Sequence, residues 1–189
     1  RNAGSQRHWQ PMKAAWRWLG LMALALFALQ LYFVIRVAAM VVIAPQSTAF
    51  ERSEAWRISR EKSEFRWRQQ WVDYPQISDH LKRAVIASED DGFANHDGVD
   101  WDALEKAWAK NTQAEQRAQQ RSNAKPPKIV GGSTITQQLA KNLFLSGERT
   151  MVRKGQEFVL TFLLERLLTK RRILEIYLNS VEWGEGVFG

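Results

Sequence analysis

The stretch GGSTITQQLAKN, residues 131–142, predicts a helix that begins near Ser133. Serine is a favoured N-cap residue, and here it follows two glycines that interrupt any preceding element. Along the helix, Ile135, Leu139 and Leu143 recur at four-residue spacing and form one apolar stripe. Another side of the helix is polar and carries Thr134, Gln137, Gln138 and Lys141.

The polar side of this helix has the composition of a ligand site. Its hydroxyls, amides and single ammonium suit a polyhydroxylated substrate that bears phosphate. The glycines before the helix expose backbone N–H groups, which favours an anion. Because no Gly-Lys-Ser/Thr follows them, a Walker phosphate loop is excluded. An ordinary capped amphipathic helix has the same composition, so that alternative stays open.

A second polar cluster lies upstream, where SEDDGFANHDG occupies residues 88–98. Three adjacent carboxylates, Glu89 to Asp91, directly follow the apolar run Ala84–Ala87. We therefore expect Glu89 at the end of a packed element, where burial and like-charge neighbours can tune a carboxylate as a general base. The alternative is an acidic helix terminus with turn residues. The spacing matches no strong metal-ligand motif, and a lone His96 is more often structural than catalytic.

A third cluster, RKGQE, lies downstream at residues 153–157. Arg153 and Glu157 are four residues apart and share a helix face. Apolar residues 158–164 follow, so this helix enters the core and Glu157 needs a partner to offset its desolvation. A purely structural buried Arg–Glu pair is the alternative. The fourth block, KRRILEIYLN at 170–179, has the spacing of a packed helix.

The remaining periodicity predicts a mainly α-helical domain. A short helical pattern covers Leu81–Ala87, another helix begins near Asp100, and two more cover Met151–Leu168 and Lys170–Asn179. Residues 111–128 are polar and end in two prolines, so we expect a mobile loop there. No alternating strand pattern stands out.

The basic excess of the chain is concentrated at its N-terminus. Overall, 27 basic and 20 acidic residues give a net charge of +7, which by itself would favour a nucleic-acid partner. Residues 1–43 hold five basic residues and no acid, and the rest carry 22 basic and 20 acidic residues. That near-neutral remainder argues against nucleic-acid binding. The lack of cysteine excludes disulfides, cysteine-ligated metals and a cysteine nucleophile.

Residues 19–43 predict a single transmembrane helix. Its length of 25 residues corresponds to about 37 Å, enough to cross a hydrocarbon core of about 30 Å. Basic residues before it favour a cytoplasmic N-terminus. A buried core helix and a signal peptide cleaved after Val42-Ile43-Ala44 are the alternatives. We expect Trp16 and Trp18 at one membrane boundary, and Arg36 to reach the headgroups of the other.

The chain therefore divides into a cytoplasmic N-terminus (1–18), the anchor (19–43), a juxtamembrane segment (44–72) and a domain (73–189). In the juxtamembrane segment, the break Pro45–Thr48 precedes a stretch dense in charged and aromatic residues from Phe50 to Trp71. We expect this stretch to form an amphipathic helix that is solvated or rests on the membrane surface.

Taken in order, the four blocks resemble the glycosyltransferase family 51 domain, which polymerises peptidoglycan. The resemblance covers about residues 71–189, and four ordered blocks make it highly specific. The single anchor and the string WGEGVFG at 183–189 look most like monofunctional members of that family. The resemblance implies a lysozyme-like α fold. Since family members continue with further helices, it also implies that the chain is C-terminally incomplete at Gly189.

The resemblance also implies a reaction in cell wall synthesis. Glu89 matches the catalytic carboxylate and would deprotonate the 4-hydroxyl of lipid II, the acceptor. That oxygen would attack the donor glycan, which is held on polyprenyl diphosphate, with inversion to a β-1,4 linkage. Lys141 and Arg153 would neutralise the departing diphosphate. Glu157, the second glutamate of the family, would orient the diphosphate through a divalent cation, Mg²⁺ or Mn²⁺.

Other residues of the blocks would bind or shape the substrate. Those that would bind it are Ser133, Thr134, Gln137, Gln138 and Asn142. Those that would shape the site around the first glutamate are Asp90, Phe93 and His96. The implied location is the bacterial inner membrane, with a periplasmic domain near other wall-synthesis or division proteins. A lysozyme-like hydrolase and a membrane-tethered scaffold are the rival interpretations.

Overall fold

The computed structural model describes residues 9–61, 67–120, 130–145, 147–148 and 150–189. Within these ranges the chain is mainly helical, as the periodicity predicts. The α-helices are α1 (Trp9–Ala39), α2 (Ala49–Glu61), α3 (Asp79–Glu89), α4 (Trp101–Gln119), α5 (Ile135–Phe144), α6 (Met151–Leu167) and α7 (Lys170–Ser180). A single 3₁₀ turn, Tyr74–Gln76, precedes α3.

The helix expected from residues 131–142 is α5, which lies at the centre of the domain. Its predicted stripe is buried, with Ile135 and Leu139 fully inaccessible to solvent. The stripe packs against α6 and α7, and α2 covers another side. The predicted N-cap is wrong by one residue: Thr134 caps the helix and completes a capping box with Gln137, so Ser133 is left exposed.

The first helix, α1, has the length and composition of a membrane span. The most apolar window of Lys13–Ala39 has a mean hydropathy of 2.1, and only 6% of it is buried, which excludes the core-helix alternative. The predicted end at residue 43 is too late, because α1 stops at Ala39 and a turn follows. Phe33 and Val37 in its last turns, and Met40 in the turn that follows, are buried in the core of the domain. Cleavage after residue 44 would remove these three side chains from the core.

The segment after the anchor differs from the predicted single helix over Phe50–Trp71, which is wrong. Helix α2 ends at Glu61, Arg68–Gln69 form strand β1, and residues 62–66 lie outside the described ranges. A buried capping box starts α2, in which Thr48 and Glu51 exchange hydrogen bonds. Burial raises the pKa of the Glu51 carboxyl. The buried face of α2 contacts α5 rather than a membrane surface.

A small sheet closes the end of the domain. Strands β2 (Glu182–Gly184) and β3 (Val187–Phe188) pair antiparallel, and β1 adds in parallel to give the order β1-β3-β2. Trp67 packs its ring 4.7 Å from that of Phe188. Strands of two or three residues are too short to show alternation, which is why no strand was expected.

Helix α4 extends through the first half of the predicted loop 111–128. Asp100 caps α4 by accepting a hydrogen bond from the N–H of Ala103, and the helix continues to Gln119. The expectation of a loop over 111–119 is wrong because this stretch, although polar, consists mostly of good helix formers such as Ala, Gln, Glu and Arg. Residues 121–128 of that prediction lie outside the described ranges. The other predicted helices agree with α3, α6 and α7 to within two residues at each end.

Candidate active site

A buried carboxylate, Asp90, fixes the loop that follows α3. Its Oδ1 accepts a hydrogen bond from His96 Nε2 at 2.8 Å, and its Oδ2 accepts one from the backbone N–H of Ile135 at 3.0 Å. His96 Nδ1 accepts the N–H of Gly98, so the ring proton lies on Nε2 and points at Asp90. Asp90 therefore connects the end of α3 to the first turn of α5.

A second set of contacts holds the same loop from its far end. The Thr134 hydroxyl donates to the carbonyl of Gly98 at 2.6 Å. Gly98 has a φ of +88°, and a Cβ there would lie 2.7 Å from the Thr161 side chain, so only glycine fits. Phe93 is buried beneath the loop, and its ring faces the Lys170 ammonium. These contacts give Phe93 and His96 a positioning role below the site.

Asp90→Ala should destabilise the folded protein strongly. The change leaves the His96 and Ile135 N–H groups buried without an acceptor, at about 1–3 kcal/mol for each group. We expect the free energy of unfolding in detergent micelles to fall by about 2–5 kcal/mol by urea denaturation. Asp91→Ala, which removes the exposed neighbouring carboxylate, is the control and should change it little. Equal stability of the two variants would contradict the role of Asp90.

Glu89 occupies the last position of α3 with its side chain in solvent. The expectation that Glu89 is buried is wrong, because Asp90 next to it takes the buried position. Gln138 Nε2 donates to Glu89 Oε2 at 3.0 Å, and the Tyr177 hydroxyl donates to Gln138 Oε1 at 3.1 Å. Burial and the nearby carboxylates of Glu89 and Asp90 raise the pKa of Tyr177 to about 12, so its proton is retained at neutral pH. This chain of hydrogen bonds fixes the orientation of Gln138 and directs its amide N–H at Glu89.

Gln138, which contacts Glu89, also lines a pocket of about 440 Å³. Among the described residues that line this pocket, the positively charged ones are Lys141, Arg153 and Lys154. Lys141 is exposed, and its ammonium makes no hydrogen bond or ion pair with any described residue. The other lining residues are Phe50, Ser53, Glu54, Ser133, Gln137, Gln138, Asn142, Leu145, Gly147 and Glu157.

The buried Glu157 is held by two cations of its own helix. Its Oε2 accepts from Arg153 Nη1 at 3.1 Å, and its Oε1 accepts from the Lys154 ammonium. Arg153 Nε is buried and has no hydrogen-bond partner in the described structure. Because Nε is closed to solvent, a ligand in the pocket would contact other atoms of this guanidinium, whose side chain is 17% exposed. The pocket thus offers a fixed guanidinium donor and a free ammonium, the donor set for a diphosphate or phosphate ester.

Two residues join this cationic pocket to Glu89. Ser133 lines both the 440 Å³ pocket and a smaller cavity of about 130 Å³ that contains Glu89. Gln138 lines the larger pocket and contacts Glu89 directly. Glu89, a carboxylate that can accept a proton, therefore lies at one end of a continuous surface. The cations of the pocket, which can stabilise negative charge, lie at the other end.

The predicted binding residues of α5 divide into two groups. Ser133, Gln138 and Lys141 present polar groups to the pockets. Thr134 and Gln137 are buried and bond to each other through the capping box, and Asn142 is buried in the pocket wall. The N–H groups of Ile135 and Gln137 are taken by Asp90 and Thr134, so neither is free for an anion. The expectation that the glycine N–H groups before the helix favour an anion stays a prediction.

The roles of several residues in and around the pocket were not predicted from the sequence. Lys154 is three residues before Glu157, a spacing that could have indicated the second cation. Tyr177 was assigned to packing alone, yet it orients Gln138. Phe50, Ser53 and Glu54 of α2 form a wall of the cationic pocket. No sequence signal predicts that wall, because it depends on how α2 packs against α5.

The expected Mg²⁺ or Mn²⁺ stays a prediction. Both carboxylate oxygens of Glu157 are already bonded to cations. Among the described residues, no group of three or more His, Asp or Glu side chains lies close enough to hold a metal. These described side chains do not form the ligand set of an ion held by the protein alone.

Comparison with known proteins places these features in a family. A family model described as Transglycosylase matches residues 57–189. The biosynthetic peptidoglycan transglycosylase of Burkholderia thailandensis is 54% identical over 177 residues, which cover 92% of this chain and 65% of that protein. That of Azoarcus sp. strain BH72 is 50% identical over 182 residues, covering 94% of this chain and 74% of that protein.

A third relative agrees with the other two. The biosynthetic peptidoglycan transglycosylase of Burkholderia pseudomallei is 52% identical over 177 residues, covering 92% of this chain. The chain spans 65% of the length of both Burkholderia relatives. The region matched by the family model includes α3, the loop after it and all of α5 to α7. The chain therefore belongs to the transglycosylase family.

Proposed function

We propose that this protein is a peptidoglycan glycosyltransferase that polymerises lipid II into β-1,4-linked glycan strands. The observation that carries the proposal is the surface that joins Glu89, through Gln138 and Ser133, to the pocket of Lys141 and Arg153. A glycosyl transfer from a diphosphate needs a base at the attacking hydroxyl and cations at the leaving group. The names of the relatives favour the same substrate class.

In the proposed reaction, Glu89 accepts the proton of the GlcNAc 4-hydroxyl of lipid II. The resulting oxygen nucleophile forms a bond to C1 of the donor MurNAc from the face opposite the diphosphate. The bond between C1 and the diphosphate oxygen breaks with its electron pair, which gives inversion. The Lys141 ammonium and the Arg153 guanidinium, which both line the pocket, stabilise the negative charge of the released polyprenyl diphosphate. Glu157 holds Arg153 in place for that contact.

The anchor fits substrates that carry lipid tails. We propose that α1 crosses the bacterial inner membrane once, with its N-terminus in the cytoplasm and the domain in the periplasm. Lys13 and Arg17 at the start of the span, with no acid among residues 1–43, favour this orientation. Contacts with other wall-synthesis or division proteins are also proposed; they rest on the resemblance alone.

Incubation of the full chain with labelled lipid II separates the proposal from its rivals. In uncharged detergent with Mg²⁺, and separately with Mn²⁺, we expect long glycan strands on a gel, and a third incubation with a chelator measures whether the divalent cation is required. Glycan strands made beforehand should keep their length. Shortening of those strands would indicate a hydrolase instead. Complete lack of turnover under all three conditions, by protein with native thermal stability, would contradict the proposal and favour a scaffold.

A further inference from the structure

A pocket outside the proposed active site lies where α1 ends. It has a volume of about 320 Å³ and is lined by Arg36 of α1, the turn and extended segment that follow, and Arg52 of α2. Among the residues that the structure describes, none that lines it is acidic. It shares no lining residue with the cationic pocket.

The depth of Arg36 matches the headgroup layer of a membrane. Trp16, which is exposed, suits the boundary at the start of the span. From Trp16 to Arg36 the helix advances 20 residues, or about 30 Å, the thickness of a hydrocarbon core. Arg36 therefore lies at the level of the lipid phosphates when Trp16 lies at the opposite boundary.

Both arginines have donors to spare. The only described contact of the Arg36 guanidinium is with the ring of Tyr32, 5.9 Å from the centroid. Arg52 Nη1 donates to the carbonyl and hydroxyl of Ser47 at 3.4 and 3.1 Å, which holds the guanidinium at the pocket wall. The carboxylate next to it, that of Glu51, is buried and accepts from the Thr48 N–H. A guanidinium presents five N–H donors, so most of those in the pocket are available.

The backbone around the pocket does not oppose an anion. The last carbonyls of α1, those of Arg36 to Ala39, accept N–H groups from the turn at residues 40–43. The carbonyl of Met40 accepts from Arg172 Nε at 2.8 Å, which ties the pocket floor to α7. Because these carbonyls are already bonded, they do not compete for the arginine N–H donors. The positive charge of Arg36, in the last turn of α1, offsets the negative end of the helix dipole.

We propose that Arg36 and Arg52 bind the phosphate of an anionic phospholipid headgroup. Guanidinium groups bind phosphate oxygens in a bidentate manner and desolvate more easily than ammonium groups, which suits a site at the membrane boundary. A bound headgroup would fix the height of the domain over the bilayer, because the pocket is built from both α1 and α2. The proposal is independent of the catalytic reaction.

A binding measurement on the detergent-purified full chain tests this site. Dioctanoylphosphatidylglycerol is titrated into protein in dodecyl maltoside micelles, and binding is followed by the rise in Tm. Parallel titrations use dioctanoylphosphatidylcholine and inorganic phosphate. We expect Arg36→Gln combined with Arg52→Gln to weaken phosphatidylglycerol binding at least about tenfold, since hydrogen bonds to charged groups are lost at both arginines. Both side chains are exposed, so the fold should survive.

The matched control combines Arg17→Gln with Arg60→Gln. It removes the same charge from the other end of α1 and from the exposed side of α2, and should leave binding unchanged. Equal weakening by the control would show attraction by net charge and overturn the site. Equal binding of phosphatidylcholine would overturn the requirement for an anionic lipid. Equal binding of inorganic phosphate would assign the pocket to free phosphate instead.

Discussion

Glu89→Gln is expected to lower the rate of lipid II polymerisation by about 10³-fold, within the usual contribution of a general base. The substitution keeps the size of the side chain and a carbonyl oxygen that can accept the hydrogen bond from Gln138. It removes only the ability to take a proton from the attacking hydroxyl. Because Glu89 is exposed at the end of α3, the stability of the fold should hardly change. The rate is measured from labelled glycan strands at saturating lipid II.

The neighbouring acid supplies a control for the loss of one negative charge. Asp91→Asn changes an exposed carboxylate two residues from Glu89 and should retain near-normal polymerisation. Removal of a general base lowers a rate by about 100-fold or more. If Glu89→Gln kept more than about a tenth of the rate, Glu89 would therefore not be the base. An equal loss in Asp91→Asn would show that net negative charge, rather than a placed base, supports the reaction.

Lys141→Ala is expected to lower the rate at least about 100-fold, the scale of removing one electrostatic stabiliser of a leaving group. The Lys141 ammonium is exposed to the cationic pocket and has no described partner to neutralise it. Its full charge is therefore available to a diphosphate. Arg153 cannot compensate fully, because one of its N–H groups is committed to Glu157.

Two further variants sharpen this prediction. Lys141→Arg keeps a cation that can reach phosphate oxygens, and should recover part of the rate lost in the alanine variant. Lys110→Ala removes an exposed cation of α4 that does not line the pocket, and should behave like the unchanged protein. Near-normal turnover in Lys141→Ala would contradict the assigned role, as would an equal loss in Lys110→Ala.

Much of the candidate site could be predicted from single blocks of sequence. Arg153 and Glu157 pair as their four-residue spacing indicates, and the apolar stripe of α5 is buried as expected. The choice between adjacent carboxylates could not be predicted. Glu89 and Asp90 have similar chemistry, and only the approach of His96 and the first turn of α5 determines that Asp90 is the buried one.

The sequence by itself determined α3, α5, α6 and α7, the long apolar helix near the N-terminus and the ordered blocks that resemble a family. Helix periodicity, capping and hydropathy depend on residues within one or two turns, so they are visible in the order of amino acids. Only the tertiary structure decided that α2 forms a wall of the cationic pocket, that Tyr177 orients Gln138 toward Glu89, and that Arg36 and Arg52 share a pocket. These contacts join separate helices, and packing of the apolar stripes sets which polar groups meet.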